Sequence, residues 1–155
     1  MELNLPKRFF ITSGKGVNRI SELNAFDLAL RDAGIAEYNI VRVSSVLPTG
    51  VEKVDSMELP RGTILHCVLA QMNGDEGEAI SAGIAYAFRE DGDGGYAAEG
   101  HGHLARNAMR EILEWKMGEM ASHREVKLGP IEYHIQELSV PMDHYGACIA
   151  ALALV

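Results

Sequence analysis

The chain has 155 residues, a length that suits one compact domain over 1–155 with enough chain to bury a core. Hydrophobic residues make up 47% of it and charged residues 23%, with a mean hydropathy of -0.03. That excludes a disordered chain, and no apolar run approaches the roughly 20 residues that cross a bilayer. A formal net charge of -8 argues against nucleic acid and anionic membranes, whose recognition needs clustered Lys and Arg, and is more compatible with a cationic small molecule.

At the N-terminus Glu2, Lys7 and Arg8 leave no apolar stretch of a signal peptide, so a cytoplasmic location is expected. Residues 5–11 predict a first strand, and Thr12-Ser13-Gly14-Lys15-Gly16 a glycine turn. The spacing misses the Gly-x-x-x-x-Gly-Lys-Ser/Thr requirement of a phosphate loop. A helix is predicted over residues 22–33, capped by Ser21 or Asn24 and stopped by Gly34. Phe26, Leu30 and Ala33 share one of its faces, and Asp27, one turn in, suits the positive end of the helix.

Next comes Asn39-Ile40-Val41-Arg42-Val43-Ser44-Ser45-Val46-Leu47-Pro48. Branched β-carbons favour extended backbone and Pro48 keeps Leu47 out of helical geometry. The two serines are therefore expected at the end of a strand, with Asn39, Val41, Val43 and Ser45 on one face. A serine hydroxyl held against the preceding carbonyl can attack it and exchange the amide for an ester, where the backbone is bent enough to weaken amide resonance. Loss of the α-proton then expels the ester oxygen, and the dehydroalanine at the new terminus loses ammonia to become a pyruvoyl group. That chemistry makes Ser44-Ser45 a candidate self-cleavage site, although most serine pairs in strands are ordinary residues.

Residues 49–61 read as a polar surface loop, 62–72 as a strand and Asn73-Gly74-Asp75-Glu76-Gly77 as a turn. Over 78–88 the alternation of apolar and small residues favours a strand over a helix. Asp91-Gly92-Asp93-Gly94-Gly95 offers too few oxygen ligands for calcium, with Gly102 where an EF-hand needs its closing glutamate, so a turn is expected. Tyr96-Ala97-Ala98-Glu99-Gly100 predicts a strand carrying a glutamate. His101 and His103 would share its face, but zinc sites usually draw ligands from more than one segment, and no metal is expected. A long helix is predicted over 104–120, packing through Leu104, Ala108, Ile112 and Trp115 and leaving Arg106, Arg110, Glu114 and Lys116 to solvent. An exposed or edge strand over 125–138, a turn at Pro141-Met142-Asp143 and a buried strand over 145–155 complete the chain. Cys67 and Cys148 are expected as buried free thiols, and His134 and His144 as structural or solvated. The sum is an α+β fold, a layered sandwich of mainly antiparallel β-sheets flanked by helices.

Leu23-Asn24-Ala25-Phe26-Asp27, Ala33-Gly34-Ile35 and residues 39–48 resemble, in letters, order and gaps, the start of the pyruvoyl-dependent arginine decarboxylases. Tyr96-Ala97-Ala98-Glu99-Gly100 resembles the segment in which that family presents a glutamate, and the resemblance covers nearly the whole chain. It implies conversion of L-arginine to agmatine and carbon dioxide through a Schiff base to a covalently bound pyruvoyl group formed from Ser45, without pyridoxal phosphate. It also implies Ser45 and Glu99 as catalytic residues, with Glu99 the proton donor, and Ser44, Ser45 and Asn39 as processing residues, with self-cleavage between 44 and 45 into a β chain of residues 1–44 and an α chain of residues 45–155. Asp27 would receive the guanidinium, whose planar fork suits a carboxylate. Homotrimers with active sites between subunits are implied, with further pairing into a dimer of trimers left open. Six extended residues span about 20 Å, so a straight strand keeps Asn39 from its own Ser45, and the serine of a neighbouring subunit is its expected partner. The His101 and His103 pair departs from the family pattern. Two alternatives stay open: a decarboxylase for another cationic amino acid such as lysine or ornithine, and an unprocessed partner subunit of a hetero-oligomer. Polyamine biosynthesis, other biosynthesis and acid resistance are all compatible with agmatine as product.

Overall fold

The computed structural model describes residues 4–155, so Glu2 of the N-terminal charge pattern lies outside the described residues. Among the described residues the chain order is β1 (Arg8–Asn18), α1 (Glu22–Asp32), β2 (Asn39–Arg42), β3 (Val46–Leu47), β4 (Glu52–Lys53), β5 (Ile64–Gly74), β6 (Ala79–Phe88), β7 (Gly95–Gly102), α2 (Arg106–Arg124), β8 (Glu132–Ser139) and β9 (Tyr145–Leu154). Five strands form one sheet in the order β2-β5-β9-β1-β4, and four form a second in the order β3-β7-β6-β8. The long pairings are antiparallel, while β2 with β5 and β1 with β4 run parallel.

Three apolar clusters bind four layers. Phe9, Val68, Ile80, Ile84, Cys148 and Leu152 fill the space between the sheets. Ala25, Ala29, Leu65, Cys67, Ile149 and Ala151 join α1 to the outer face of the five-stranded sheet. Met109, Leu113, Met117, Ala85 and Ala98 join α2 to the outer face of the other. The expected sandwich of mainly antiparallel sheets flanked by helices is what forms. Strand β9, buried almost throughout, lies at the centre of its sheet, which explains its unbroken apolar sequence.

Several local expectations need correction. Strand β1 begins at Arg8 and runs straight through the segment read as a glycine turn. Gly14 and Gly16 serve close approach: a Cβ on Gly14 would run into the Ala29 carbonyl, and one on Gly16 into the Ala25 carbonyl. With Ala25, Ala29 and Ala33 buried opposite them, helix and strand backbones come together over small residues. Helix α1 is otherwise as expected: the Ser21 hydroxyl accepts from the Asn24 amide, the N-cap bond that satisfies an otherwise unpaired donor, and Gly34 follows its last turn.

Helix α2 is shifted, running Arg106–Arg124, and its packing stripe is Met109, Leu113 and Met117. Trp115, expected in that stripe, is 70% exposed. Strand β5 starts two residues later than expected and continues to Gly74, while β4 interrupts the loop over 49–61. Strand β8 starts seven residues later than expected and runs Glu132–Ser139, one residue past the expected end, and it is indeed an edge strand. Both cysteines are free and buried. No helix among the described residues is long and apolar enough to cross a membrane.

Candidate functional site

The serine pair lies where the backbone changes sheets. The Val43 amide donates to the Cys67 carbonyl at 2.9 Å, still on the five-stranded sheet, whereas the Ser45 carbonyl accepts from the Ala97 amide at 2.9 Å on the other. The expected strand through Ser45 is thus two strands: β2 ends at Arg42, and β3 pairs with β7 through Val46 opposite Tyr96 and Leu47 opposite Gly95. Leu47 is buried in the core between the sheets. Ser44 spans two fixed points, one on each layer.

A cavity of about 620 Å³ opens beside this crossing. Val43, Ser44 and Ser45 line one side, Ala97, Ala98 and Glu99 of β7 another, and α2 the third through residues that include Ile112, Trp115, Lys116 and Glu119. Glu99 is exposed and sits opposite Ile84 of β6. The Lys116 ammonium donates to the Glu99 carbonyl oxygen at 2.6 Å, which ties this point of β7 to α2. Arg124, also on the cavity wall, stacks over the Tyr96 ring at 4.6 Å from its centroid. The cavity therefore holds two carboxyl groups, Glu99 and Glu119, two hydroxyls and a largely apolar wall.

Ser44, Ser45 and Glu99 come together; Asp27 and Asn39 do not join them. Asp27 is exposed on α1, outside the five-stranded sheet, and Asn39 starts edge strand β2, where its side-chain amide donates to the Gly62 carbonyl at 3.1 Å. Asn39 lines a separate groove with Phe26, Leu30, Tyr38, Arg42 and Gln71. Sequence reasoning missed the contribution of α2. A tryptophan among charged residues, Glu114-Trp115-Lys116, was the available signal that this face is not core.

The histidines fall outside the cavity. His103 pairs with the Glu78 carboxylate, which the Asp75 amide and then His103 hold below the usual carboxylate range. Among the described residues no group of three or more His, Cys, Asp or Glu side chains could hold a metal. His134 bridges the layers, its Nε2 lying 3.1 Å from the Ser13 hydroxyl, and burial, with Lys53 and Arg106 nearby, pushes its pKa down.

The family model described as pyruvoyl-dependent arginine decarboxylase matches residues 8–155. The chain belongs to the pyruvoyl-dependent arginine decarboxylase family. It is 44% identical over 110 residues, 67% of this chain and 69% of the relative, to pyruvoyl-dependent arginine decarboxylase 2 of Archaeoglobus fulgidus. It is also 44% identical over 133 residues to the pyruvoyl-dependent arginine decarboxylase of Picrophilus torridus, covering 76% of this chain and 72% of the relative. At 31% identity the likeness to the pyruvoyl-dependent arginine decarboxylase of Thermococcus kodakarensis spans 99% of this chain and 98% of that one. The pyruvoyl cofactor that the name of the pyruvoyl-dependent arginine decarboxylase family implies fits the residues present. Ser45, at a bend anchored on both sheets, and Glu99 line one cavity, which offers a hydroxyl and a carboxyl group side by side.

Proposed function

We propose that the chain cuts itself between Ser44 and Ser45 and then, as a pair of fragments, decarboxylates L-arginine to agmatine. The observation that carries this reading is the serine pair at the sheet crossing, on the same cavity as Glu99.

In processing, the Ser45 hydroxyl oxygen bonds to the Ser44 carbonyl carbon as the amide nitrogen leaves with a proton, and an ester joins the two residues. Removal of the Ser45 α-proton breaks its Cβ–Oγ bond and releases the Ser44 carboxylate. The enamine left at position 45 takes up water and gives off ammonia, leaving a ketone. The bonds to Cys67 and Ala97 hold the ends of this stretch, which reduces the motion the attack must restrict.

A pyruvoyl group at position 45 supplies a ketone for the substrate amine and a conjugated carbonyl that takes up the electron pair left when carbon dioxide departs. Glu99 returns a proton to the substrate carbon. Lys116 steadies Glu99 through its backbone carbonyl, and Ile112, Trp115 and Met120 give the departing carboxylate an apolar wall that solvates it poorly. Neither pyridoxal phosphate nor a metal takes part in this reading.

The net charge and the names of the relatives favour arginine. Asp27 and Asn39 lie away from the chain's own cavity, which supports their serving the cavity of a neighbouring copy, Asp27 for the guanidinium and Asn39 for the serine. Two different patches meeting make a heterologous contact, and closing it gives a ring, here a homotrimer that pairing would turn into a dimer of trimers. Cytoplasmic action and a role in polyamine biosynthesis belong to the same proposal.

The test is the intact mass of the purified protein under denaturing conditions, followed by carbon dioxide release from arginine, lysine and ornithine. Two fragments meeting at Ser44/Ser45, the larger with a blocked terminus, and preference for arginine are expected. Preference for lysine or ornithine would move the substrate. A persistent full-length mass would leave a partner-subunit role ahead.

A further inference from the structure

Resting on the self-processing just proposed, we infer that the hairpin loop between β6 and β7, residues 89–94, is a clamp that fixes the downstream side of the Ser44-Ser45 bond for cleavage. Its residues are positioning residues, since none touches the reacting atoms.

The upstream side is already held by Val43 on β5. Downstream, β3 is only Val46–Leu47, too short for its ladder alone to fix the backbone, and the end of this strand and the turn after it are seated on the loop. The Thr49 hydroxyl donates to the Asp93 carboxylate at 2.7 Å. Gly94, at φ +74, packs so tightly that an added Cβ would run into the Leu47 carbonyl and come within 3.3 Å of the Thr49 amide. The loop is itself braced: Arg89 grips Asp91 with two nitrogens, at 3.0 and 2.5 Å, and Asp91 accepts from the Asp93 amide at 3.0 Å. The Arg89 amide donates to the Gly94 carbonyl at 2.8 Å, closing the loop beneath the segment. A bent peptide attacked by its own side chain is sensitive to small displacements, and Leu47 is two residues from Ser45.

The loop also contains its own control. Gly92 has nearly the same left-handed backbone, φ +80, with nothing within 4 Å of an added Cβ. Gly92→Ala and Gly94→Ala therefore carry similar backbone strain, and only the second pushes on the segment after Ser45.

The experiment tracks full-length chains made by cell-free translation, with the fraction cut at 44/45 read by intact mass against time and thermal midpoints measured alongside. Gly94→Ala should slow cutting by about tenfold or more, and Thr49→Val and Asp93→Ala by about threefold. Thr49→Ser, which keeps the hydroxyl, should cut at the wild-type rate, and so should Gly92→Ala. Wild-type rates in Gly94→Ala, Thr49→Val and Asp93→Ala would overturn the clamp, as would equal slowing in Gly92→Ala and Gly94→Ala. A wild-type chain that never cuts would overturn the processing reading itself, and the clamp with it, and is read from the wild type alone.

Discussion

The Lys116 ammonium reaches from α2 to the carbonyl of Glu99, so the proposed acid depends on a side chain 17 positions away. Glu99→Gln removes the acid and keeps the shape; it should lower carbon dioxide release by about 100-fold or more while the chain is still cut at 44/45, measured by turnover and intact mass on one preparation. Lys116→Met should cost turnover too, by less. His134 carries a second prediction. In the folded protein burial, Lys53 and Arg106 oppose its proton, whereas the unfolded chain binds one near the ordinary value of about 6.5. The unfolded state therefore gains protons first, and stability present above that value is lost as pH falls toward the depressed native pKa. Denaturation across this window should show the loss, and His134→Gln should flatten it. Burial pushes both the Cys67 and Cys148 thiols up to about 12, so neither should react with a thiol reagent until the protein unfolds. Ser44, Ser45 and Glu99 were legible as candidates because adjacent sequence carries their context, and the fold puts all three on one cavity. The site contribution of Trp115 and Lys116 was not, since it depends on which way a helix faces.

That facing is a matter of the element. The predicted stripe through Ala108 and Ile112 and the observed one through Met109 and Leu113 differ by one residue, which is about 100° of helix. Ile112 and Trp115 pulled the reading toward the cavity, while the core took unbranched methionines that fill irregular space. Strand β1 was misjudged for a related reason. Its glycines look like a turn in isolation, and only the helix lying across them reveals close approach. Gly14→Ala should therefore destabilise the fold by about 1–3 kcal/mol, read as a lower denaturant midpoint, because the new carbon meets the backbone of α1 rather than a movable side chain. Strands β6 and β9 and helix α1 needed no such partner to be recognised: their alternation, continuous apolar run and capping signals are local. The break between β2 and β3 was invisible because the sequence on both sides favours extended backbone, and only the two sheets distinguish one extended segment from the other.

At the scale of the molecule, the layered α+β arrangement followed from alternating patterns and two helical segments, while the assignment of strands to two sheets required long-range pairing that no short pattern encodes. That assignment also decides what a cut at 44/45 would leave. Residues 1–44 hold β1, α1 and β2, and the rest of the chain holds the other elements. In the order β2-β5-β9-β1-β4, the two strands of the small piece are separated by β5 and β9, and β1 is flanked on both sides by the large one. The pieces are interleaved like the fingers of two hands. Native mass measurement should find them together, parting only in denaturant. The cut changes the molecularity of folding: a nicked protein that unfolds falls into two solutes, and its recovery must wait on their encounter, slower with every dilution.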